Sequence, residues 1–455
     1  MTESVLTRRT VIGLIGAGAA GGTLYGLSRT DVLDFLRADA GTDDDFQVMR
    51  RPFLGNPDET VSALGFGCGS KLAIVNRDHK CIDEELTVAL MDYAVRHGVN
   101  YFDTAWTYHA GESEKFLGRA LKRYPRTSFL LADKMPTWVV KNRAEAIQTF
   151  EEQFRRCQVD YFDNYMLHRI RGEEEYDFLY HKEGVLDFLK AQKDKGRIRH
   201  LSLSFHGTSD FLQRLLDEYP WESVLILVNA LEHRWNPDSL KVARILAERN
   251  IPILVMEPLA GGRAASLNRA ALDILKREGS GASPAELGFR YALSFPGVMT
   301  VLSGMSRMDW VKENVRTFST RRYRPFDDRE RAVYARAADA YVKYATVPCT
   351  TCRYCVPCPY GVAIPEIFTW WNGFAGAGRL PEEKGANDSQ GLRREFLVSY
   401  SHAVKAGCGP EKCIRCKKCL SACPQWVFKI PDEMKRIDAA LAKVRADYVA
   451  KGGKL

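Results

Sequence analysis

Between residues 52 and 323, short apolar segments of strand character alternate with helical patterns eight times. Strands are expected over 62–66, 99–102, 129–134, 165–168, 200–204, 224–229, 252–256 and 298–303. Helical spacing of apolar residues marks 85–97, 144–157, 185–195, 239–249 and 308–317, among others. Eight such units in a stretch of this size predict an α/β fold, a (β/α)8 TIM-type barrel, because evenly spaced parallel units can close on themselves. An open doubly wound sheet is the other arrangement that the alternation permits. The chain has 455 residues, 45% of them apolar, which suits two or three domains with real cores. No apolar run reaches the roughly 18 residues of a membrane-spanning helix, so a polytopic membrane protein is excluded.

In barrels of this kind the chemistry sits where strands end. The second strand runs into Asp103, with Tyr108 just beyond, the third ends in Lys134 and the fourth in His168. Taken singly, an Asp is a cap, a Lys a solvated charge and a His a core residue. Four together at three consecutive strand ends make a site. This set resembles the catalytic tetrad of the aldo/keto reductases, and the resemblance covers most of residues 58–320. Further matches are Glu112-Ser113-Glu114 through Gly118, Met256-Glu257-Pro258-Leu259-Ala260-Gly261-Gly262, and Ser303-Gly304-Met305-Ser306 through Glu313-Asn314. The resemblance implies carbonyl–alcohol interconversion on a small-molecule substrate. Tyr108 is then the proton donor in reduction. Lys134 lowers its pKa, Asp103 orients Lys134, and His168 polarises the carbonyl oxygen.

The family's nucleotide pocket is only partly matched. The resemblance places Ser204, Asn229, Gly261, Gly262, Ser303, Gly304, Ser306, Arg307 and Asn314 at nucleotide contacts, with Arg307 toward a 2′-phosphate. Phe205 stands where an Asn holds the nicotinamide amide. Leu225 takes the place of a Gln, and Val228 that of a stacking Tyr. The phosphate end is kept while the nicotinamide end is lost, so NADP(H) is an expected but poorly served cofactor. Trp106, Trp138 and Trp235 follow the second, third and sixth strands, at the mouth or its rim. His109, His206 and His233 lie at similar heights without the spacing of a metal site.

Nine of the twelve cysteines lie between Cys349 and Cys423. One run is Cys349-x2-Cys352-x2-Cys355-x2-Cys358-Pro359. The other is Cys413-x2-Cys416-x2-Cys419-x3-Cys423-Pro424, which has the bacterial ferredoxin spacing; the first run is one residue short in its last interval. In such pairs the fourth cysteine of each run serves the other cluster. Cys349, Cys352, Cys355 and Cys423 are thus expected on one [4Fe–4S] cluster, and Cys413, Cys416, Cys419 and Cys358 on a second. A single cluster, a zinc site and disulfides are the alternatives, and Cys408 is a spare thiol. Cys68, Cys81 and Cys157 are expected as small buried residues in the barrel. Helices are expected over 364–374, 394–406 and 432–449, with a loop over 376–391. From residue 345 onward, 17 basic face 10 acidic residues, against 48 and 47 before it. Cluster thiolates offset that excess, so nucleic acid is not an expected partner.

At the N-terminus, Arg8-Arg9 precede a glycine-rich apolar stretch over 11–27, with Ala38-Asp39-Ala40 further on. Paired arginines before a weakly apolar run resemble a twin-arginine export signal, kept as a membrane tether if cleavage fails. Gly16-Ala17-Gly18-Ala19-Ala20-Gly21 also fits a dinucleotide-binding turn, but no convincing second strand follows. A disordered arm is the remaining reading.

The organisation expected is therefore a signal or tether over 1–40, a barrel over 50–325 and a small, mainly helical ferredoxin-like domain over 326–455. Together these resemble the aldo/keto reductases that carry a C-terminal ferredoxin-type domain and a twin-arginine signal. The expected function is an exported iron–sulfur oxidoreductase whose clusters relay electrons to a separate redox partner. The rivals are an NADP(H)-dependent reductase with structural clusters and a non-catalytic electron-transfer protein on a decayed barrel.

Overall fold

The structure, a computed structural model, describes residues 46–69, 71–75, 81–344, 347–382, 385–425, 427 and 429–454. The paired arginines, the 16–21 glycine pattern and the 38–40 cleavage site lie outside them. A hairpin, β1 (Arg50–Phe53) and β2 (Asn56–Ser62), leads into eight parallel strands. These are β3 (Leu64–Gly67), β4 (Tyr101–Asp103), β5 (Leu130–Pro136), β6 (Phe162–Ile170), β7 (Ile198–Phe205), β8 (Val224–Leu227), β9 (Ile253–Met256) and β10 (Val298–Ser303). They close into a barrel in chain order, with β10 pairing β3 (Val301 with Leu64), so the open sheet does not occur.

Burial on both faces explains the continuous apolar runs of β8 (Val224-Leu225-Ile226-Leu227) and β9 (Ile253-Leu254-Val255-Met256); β6 and β10 are buried throughout as well, with their polar residues included. β8 stops at Leu227, short of the expected Asn229. The Asn229 side chain is used for a turn instead, accepting from Glu232 N at 2.7 Å and donating to the Glu257 carbonyl at 2.9 Å. The hairpin closes the N-terminal end, with fully buried Phe53 against Tyr101 and His200, near the starts of β4 and β7. A small polar network, Asn164 with the Tyr101 and Ser223 hydroxyls and Ser202 with Ser223, lies in the barrel near that end.

The outer helices are α1 (Glu84–Arg96), α2 (Glu112–Leu121), α3 (Arg143–Cys157), α4 (Val185–Asp194), α5 (Ser209–Glu218), α6 (Asp238–Glu248), α7 (Arg269–Glu278), α8 (Pro284–Leu293) and α9 (Met308–Thr317). Side-chain caps start several of them: Asp83 accepts from Leu86 N, Asn142 from Glu145 N and Ser283 from Glu286 N. Gly118 lets α2 touch α3, since a Cβ there would lie 2.2 Å from the Arg156 carbonyl oxygen.

Helix α10 (Asp328–Tyr344) packs on α7 through a cluster that includes Ala271, Leu275, Tyr334 and Ala337. It extends the barrel's outer layer, so the cysteine-rich part begins after it rather than at residue 326. That part is built on α11 (Ile364–Gly376), α12 (Gln390–Ala403), the short α13 (Lys418–Ala422) and α14 (Ile430–Ala450). Its separate core holds Trp370, Trp371 and Phe396. α12 starts four residues before the expected 394 because Ser389 caps it. Among the described residues no helix is long and apolar enough to cross a membrane.

Candidate active site

The strand ends bring Asp103, Tyr108, Lys134 and His168 together. Lys134 and Asp103 lie on adjacent strands, and Lys134 Nζ donates to Asp103 Oδ1 at 2.6 Å and to the Thr104 carbonyl at 2.6 Å. Its ammonium stands 4.9 Å from the centre of the Tyr108 ring. Tyr108 opens the 310 turn after β4, and its ring meets that of His168 edge-on at 5.8 Å. The 112–118 motif braces this corner: Ser113 donates to the Cys68 carbonyl, and Glu114 accepts from Gln153 and Arg156.

Lys134 was expected to lower the Tyr108 pKa. Instead, burial holds that phenol well above its ordinary value, and the nearby Asp103 carboxylate pushes it the same way. The side chain is thus kept as the neutral acid, the form that delivers a proton. Burial also lifts the Asp103 carboxyl, against the pull of Lys134. His168 is pushed well below its usual pKa by burial, then by Lys134, His206 and Arg169, so it is a neutral imidazole.

The cysteine-rich part covers this mouth, which the sequence did not reveal. Tyr354, between Cys352 and Cys355, places its hydroxyl 3.1 Å from His168 Nε2, close enough to Tyr108 to influence its titration. Trp138 packs on both His168 (4.9 Å) and Tyr354 (5.3 Å), so it does line the site. Trp106 and Trp235 instead lie under Arg156 and Arg263. Arg169 and Arg171 donate to the carbonyls of Leu420, Ser421 and Ala422 at the end of α13. His206 contacts the Pro424 carbonyl through Nδ1 at 3.2 Å. His109 is held by the Gly69 carbonyl and His233 by the Tyr291 hydroxyl, at separate places.

The residues assigned to a nucleotide fare differently. Gly261 lies against the module: a Cβ on it would sit 2.2 Å from the Thr350 carbonyl oxygen, while Gly262 has open space. Glu257, beside that turn, accepts from Thr350 (3.2 Å) and Gln425 (2.9 Å), and burial lifts its carboxyl to about 7. Arg263 donates to the Val347 and Cys349 carbonyls, and Lys71 to Thr351. A Cβ on Gly304 would meet Lys71. Arg307 is engaged by Asp309 through two hydrogen bonds rather than standing ready for a phosphate. Asn314 donates to Ser303 at 3.0 Å, the Ser204 hydroxyl is buried without a partner among the described residues, and Ser306 is half-buried. Phe205, Leu225 and Val228 are all buried. The turn after β9, Glu257 to Arg263, is thus covered by residues 347–351 and Gln425.

All twelve cysteines are free thiols. Cys68 and Cys157 are buried as expected, but Cys81 is exposed, because it follows β3 in a surface segment rather than a core strand. The module's thiols fall into two groups. Burial raises the pKa values of Cys349, Cys352 and Cys355, and the nearby Cys423 raises each further. Cys419 is raised by burial, then by Cys413, Cys416 and Cys358. A cavity of about 170 Å3 is lined by Cys355, Cys358, Cys413, Cys416 and Cys419. Among the described residues no three His, Cys, Asp or Glu side chains converge tightly enough for a single metal ion. Cys408 packs against the module's core outside both groups.

The sequence model of the aldo/keto reductase family matches residues 64–327. The chain is 27% identical over 283 residues to an L-galactose dehydrogenase of Arabidopsis thaliana, spanning 58% of this chain and 86% of that one. Its fold resembles the holo form of an aldo-keto reductase from Bacillus halodurans, with a TM-score of 0.52, 25% identity, and coverage of 64% and 96%. It also resembles an aldo-keto reductase from Klebsiella pneumoniae in complex with NADPH (TM-score 0.50, 20% identity, coverage 63% and 95%).

Proposed function

Starting from a chain that belongs to the aldo/keto reductase family, an oxidoreductase acting on carbonyl and alcohol groups, we propose that it exchanges electrons through two [4Fe–4S] clusters rather than through a nicotinamide. The observation that carries this reading is the module on the mouth: residues 347–351 and Gln425 cover the turn after β9, where the resemblance places nucleotide contacts. The lost amide partners on β7 and β8 support the same reading.

The donor set fits the clusters. The ferredoxin spacing of the two runs supports this reading, and so does the influence of Cys423 on Cys349, Cys352 and Cys355 and of Cys358 on Cys419, with Cys355 also sensing Cys419. The cavity beside the second group has room for several heavy atoms, since one water claims about 30 Å3. Cys349, Cys352, Cys355 and Cys423 would hold one cluster, and Cys358, Cys413, Cys416 and Cys419 the other. When bound, they supply one-electron transfer. Arg169 and Arg171, which reach the end of α13, offset their negative charge.

The barrel supplies the proton chemistry. Reduction of one carbonyl takes two electrons and two protons. Tyr108 gives one proton to the substrate oxygen, His168 polarises that oxygen as a neutral donor, and Lys134, held by Asp103, stabilises the phenolate left behind, while the second proton, which adds to the carbonyl carbon with the two electrons, is drawn from water. The electrons come from, or pass to, a one-electron redox partner. An exported enzyme has no nicotinamide pool to draw on, and the twin-arginine route, which carries folded proteins, is the one an assembled cluster protein requires.

The test is anaerobic purification followed by iron analysis and turnover. About eight iron atoms per chain are expected, with a visible band that dithionite bleaches. Turnover with a reduced viologen or an oxidising dye should exceed turnover with NADPH. Iron near zero, or NADPH turnover on a carbonyl that outpaces every mediator, overturns the relay.

A further inference from the structure

Tyr354 comes from the cysteine module, yet its hydroxyl lies where the barrel's chemistry converges. It meets His168 Nε2, a group meant for a substrate oxygen, at 3.1 Å, and the Tyr108 ring stands edge-on to that same imidazole at 5.8 Å. Its ring packs tilted on Trp138 at 5.3 Å and meets the His168 ring edge-on at 6.2 Å. The loop is shaped to present it. Thr351 and Arg353 adopt left-handed backbone (φ 59° and 68°), which costs a non-glycine residue energy that its surroundings must repay. Lys71 holds Thr351 at 3.0 Å and Glu366 holds Arg353 at 2.5 Å.

We propose that Tyr354 is a resident stand-in for substrate: its phenol oxygen fills the seat of the reacting oxygen, and its ring marks the space of a six-membered ring that bears that oxygen directly. This rests on the tetrad reading above and narrows it. The substrate class is a cyclic alcohol or ketone whose reacting carbon lies in a six-membered ring. Such a molecule displaces the Tyr354 side chain, sets its ring against Trp138 and places its oxygen between Tyr108 and His168. An open-chain alcohol has no compact ring to fill the space beside Trp138, so it displaces Tyr354 poorly. Tyr354 thereby selects substrate as well as excluding water from the empty site.

Binding, not turnover, tests this on the full-length protein purified anaerobically. Phenol, cyclohexanol and hexan-1-ol are titrated calorimetrically into wild type, Tyr354→Ala and Tyr354→Ala/His168→Leu. Phenol and cyclohexanol should bind Tyr354→Ala at least about tenfold more tightly than wild type, the scale of one net hydrogen bond. Hexan-1-ol should gain little, and the double variant should lose the gain. Equal binding of phenol by wild type and folded Tyr354→Ala, or a gain that survives the loss of His168, overturns the proposal. A second measurement leaves the side chain in place. With 3-fluorotyrosine at position 354, saturating cyclohexanol should shift the fluorine resonance while hexan-1-ol leaves it unmoved; no shift with cyclohexanol also overturns it. Neither readout involves iron or mediators, so failure here is distinct from failure of the relay.

Discussion

Lys134→Met probes the buried ion pair on which the tetrad stands. Methionine keeps the side chain's length and removes its charge. Lys134 is fully buried, and its Nζ lies 2.6 Å from both Asp103 Oδ1 and the Thr104 carbonyl. The Thr104 carbonyl then loses its donor, at a cost of about 1–3 kcal/mol. Asp103 must either stay charged without its partner, at about 3–5 kcal/mol, or take up a proton. Protonating a carboxyl whose unfolded pKa is about 3.9 costs about 1.5 kcal/mol at pH 5 and about 4 kcal/mol at pH 7. Protonation is therefore the cheaper escape at pH 5, and the two are comparable at pH 7. In the wild type, burial already raises the Asp103 pKa while Lys134 pulls it down. Removing that pull raises the folded-state value further. A carboxyl whose folded pKa is raised stabilises the fold fully below its unfolded pKa, and that contribution is lost as pH rises through the folded pKa. The deficit of the variant should thus widen from pH 5 to pH 7, by at most about 2.7 kcal/mol. Urea unfolding followed by circular dichroism at pH 5, 6 and 7 measures it. Lys134→Met/Asp103→Asn has no carboxyl to neutralise, so its deficit should be smaller at pH 7 and independent of pH. A single-variant deficit that is flat with pH, or a double variant no more stable than the single, would refute the reasoning.

The barrel was legible because closure leaves a strong imprint on sequence. Strands buried on both faces are mostly apolar, as in Ile253–Met256, and β10 falls at the residues expected. The tetrad was legible because its four residue types fall at fixed places relative to those strands. The hairpin was not. Residues 54–59 are mostly polar or turn-forming, and Phe53 reveals its role only once the barrel's end is closed around it. Helix α10 was missed for a similar reason: its apolar face is narrow, and it is fixed by packing on α7 rather than by its own pattern. Docking of the module was beyond reach. Tyr354 occupies a spacer position in a cysteine run, where spacing constrains only the thiols. Its partners His168 and Trp138 are nearly two hundred residues away. One signal did point there: amide-binding residues had been lost while Gly261 remained. In the structure that glycine lies against the module, where a Cβ would meet the Thr350 carbonyl.

Three further outcomes are expected. Tyr108→Phe should lower turnover by about 10²–10⁴-fold, the range for a lost proton-transfer group, with iron content and visible spectrum unchanged; retained turnover places the chemistry elsewhere. Replacing Arg8 and Arg9 by Lys should leave the protein in the cytoplasm, read by cell fractionation, and normal export shows that the N-terminal signal was misread. Gly261→Ala should loosen the module from the barrel. The new Cβ meets backbone, 2.2 Å from the Thr350 oxygen and 2.9 Å from its carbon, so no side chain can yield. The segment over 347–351 must shift, weakening the Thr350–Glu257 and Arg263–Val347 hydrogen bonds. Gly262→Ala is the control, since Gly262 has the same left-handed backbone (φ 98° against 68°) but nothing within 4 Å. Both variants pay about 1–2 kcal/mol for alanine in that region, but only Gly261→Ala pays for the clash. Hydrogen exchange over 347–356 should accelerate in Gly261→Ala well beyond Gly262→Ala while the barrel strands stay protected. Equal acceleration in the two means that the turn senses backbone strain alone and that the module does not rest on it.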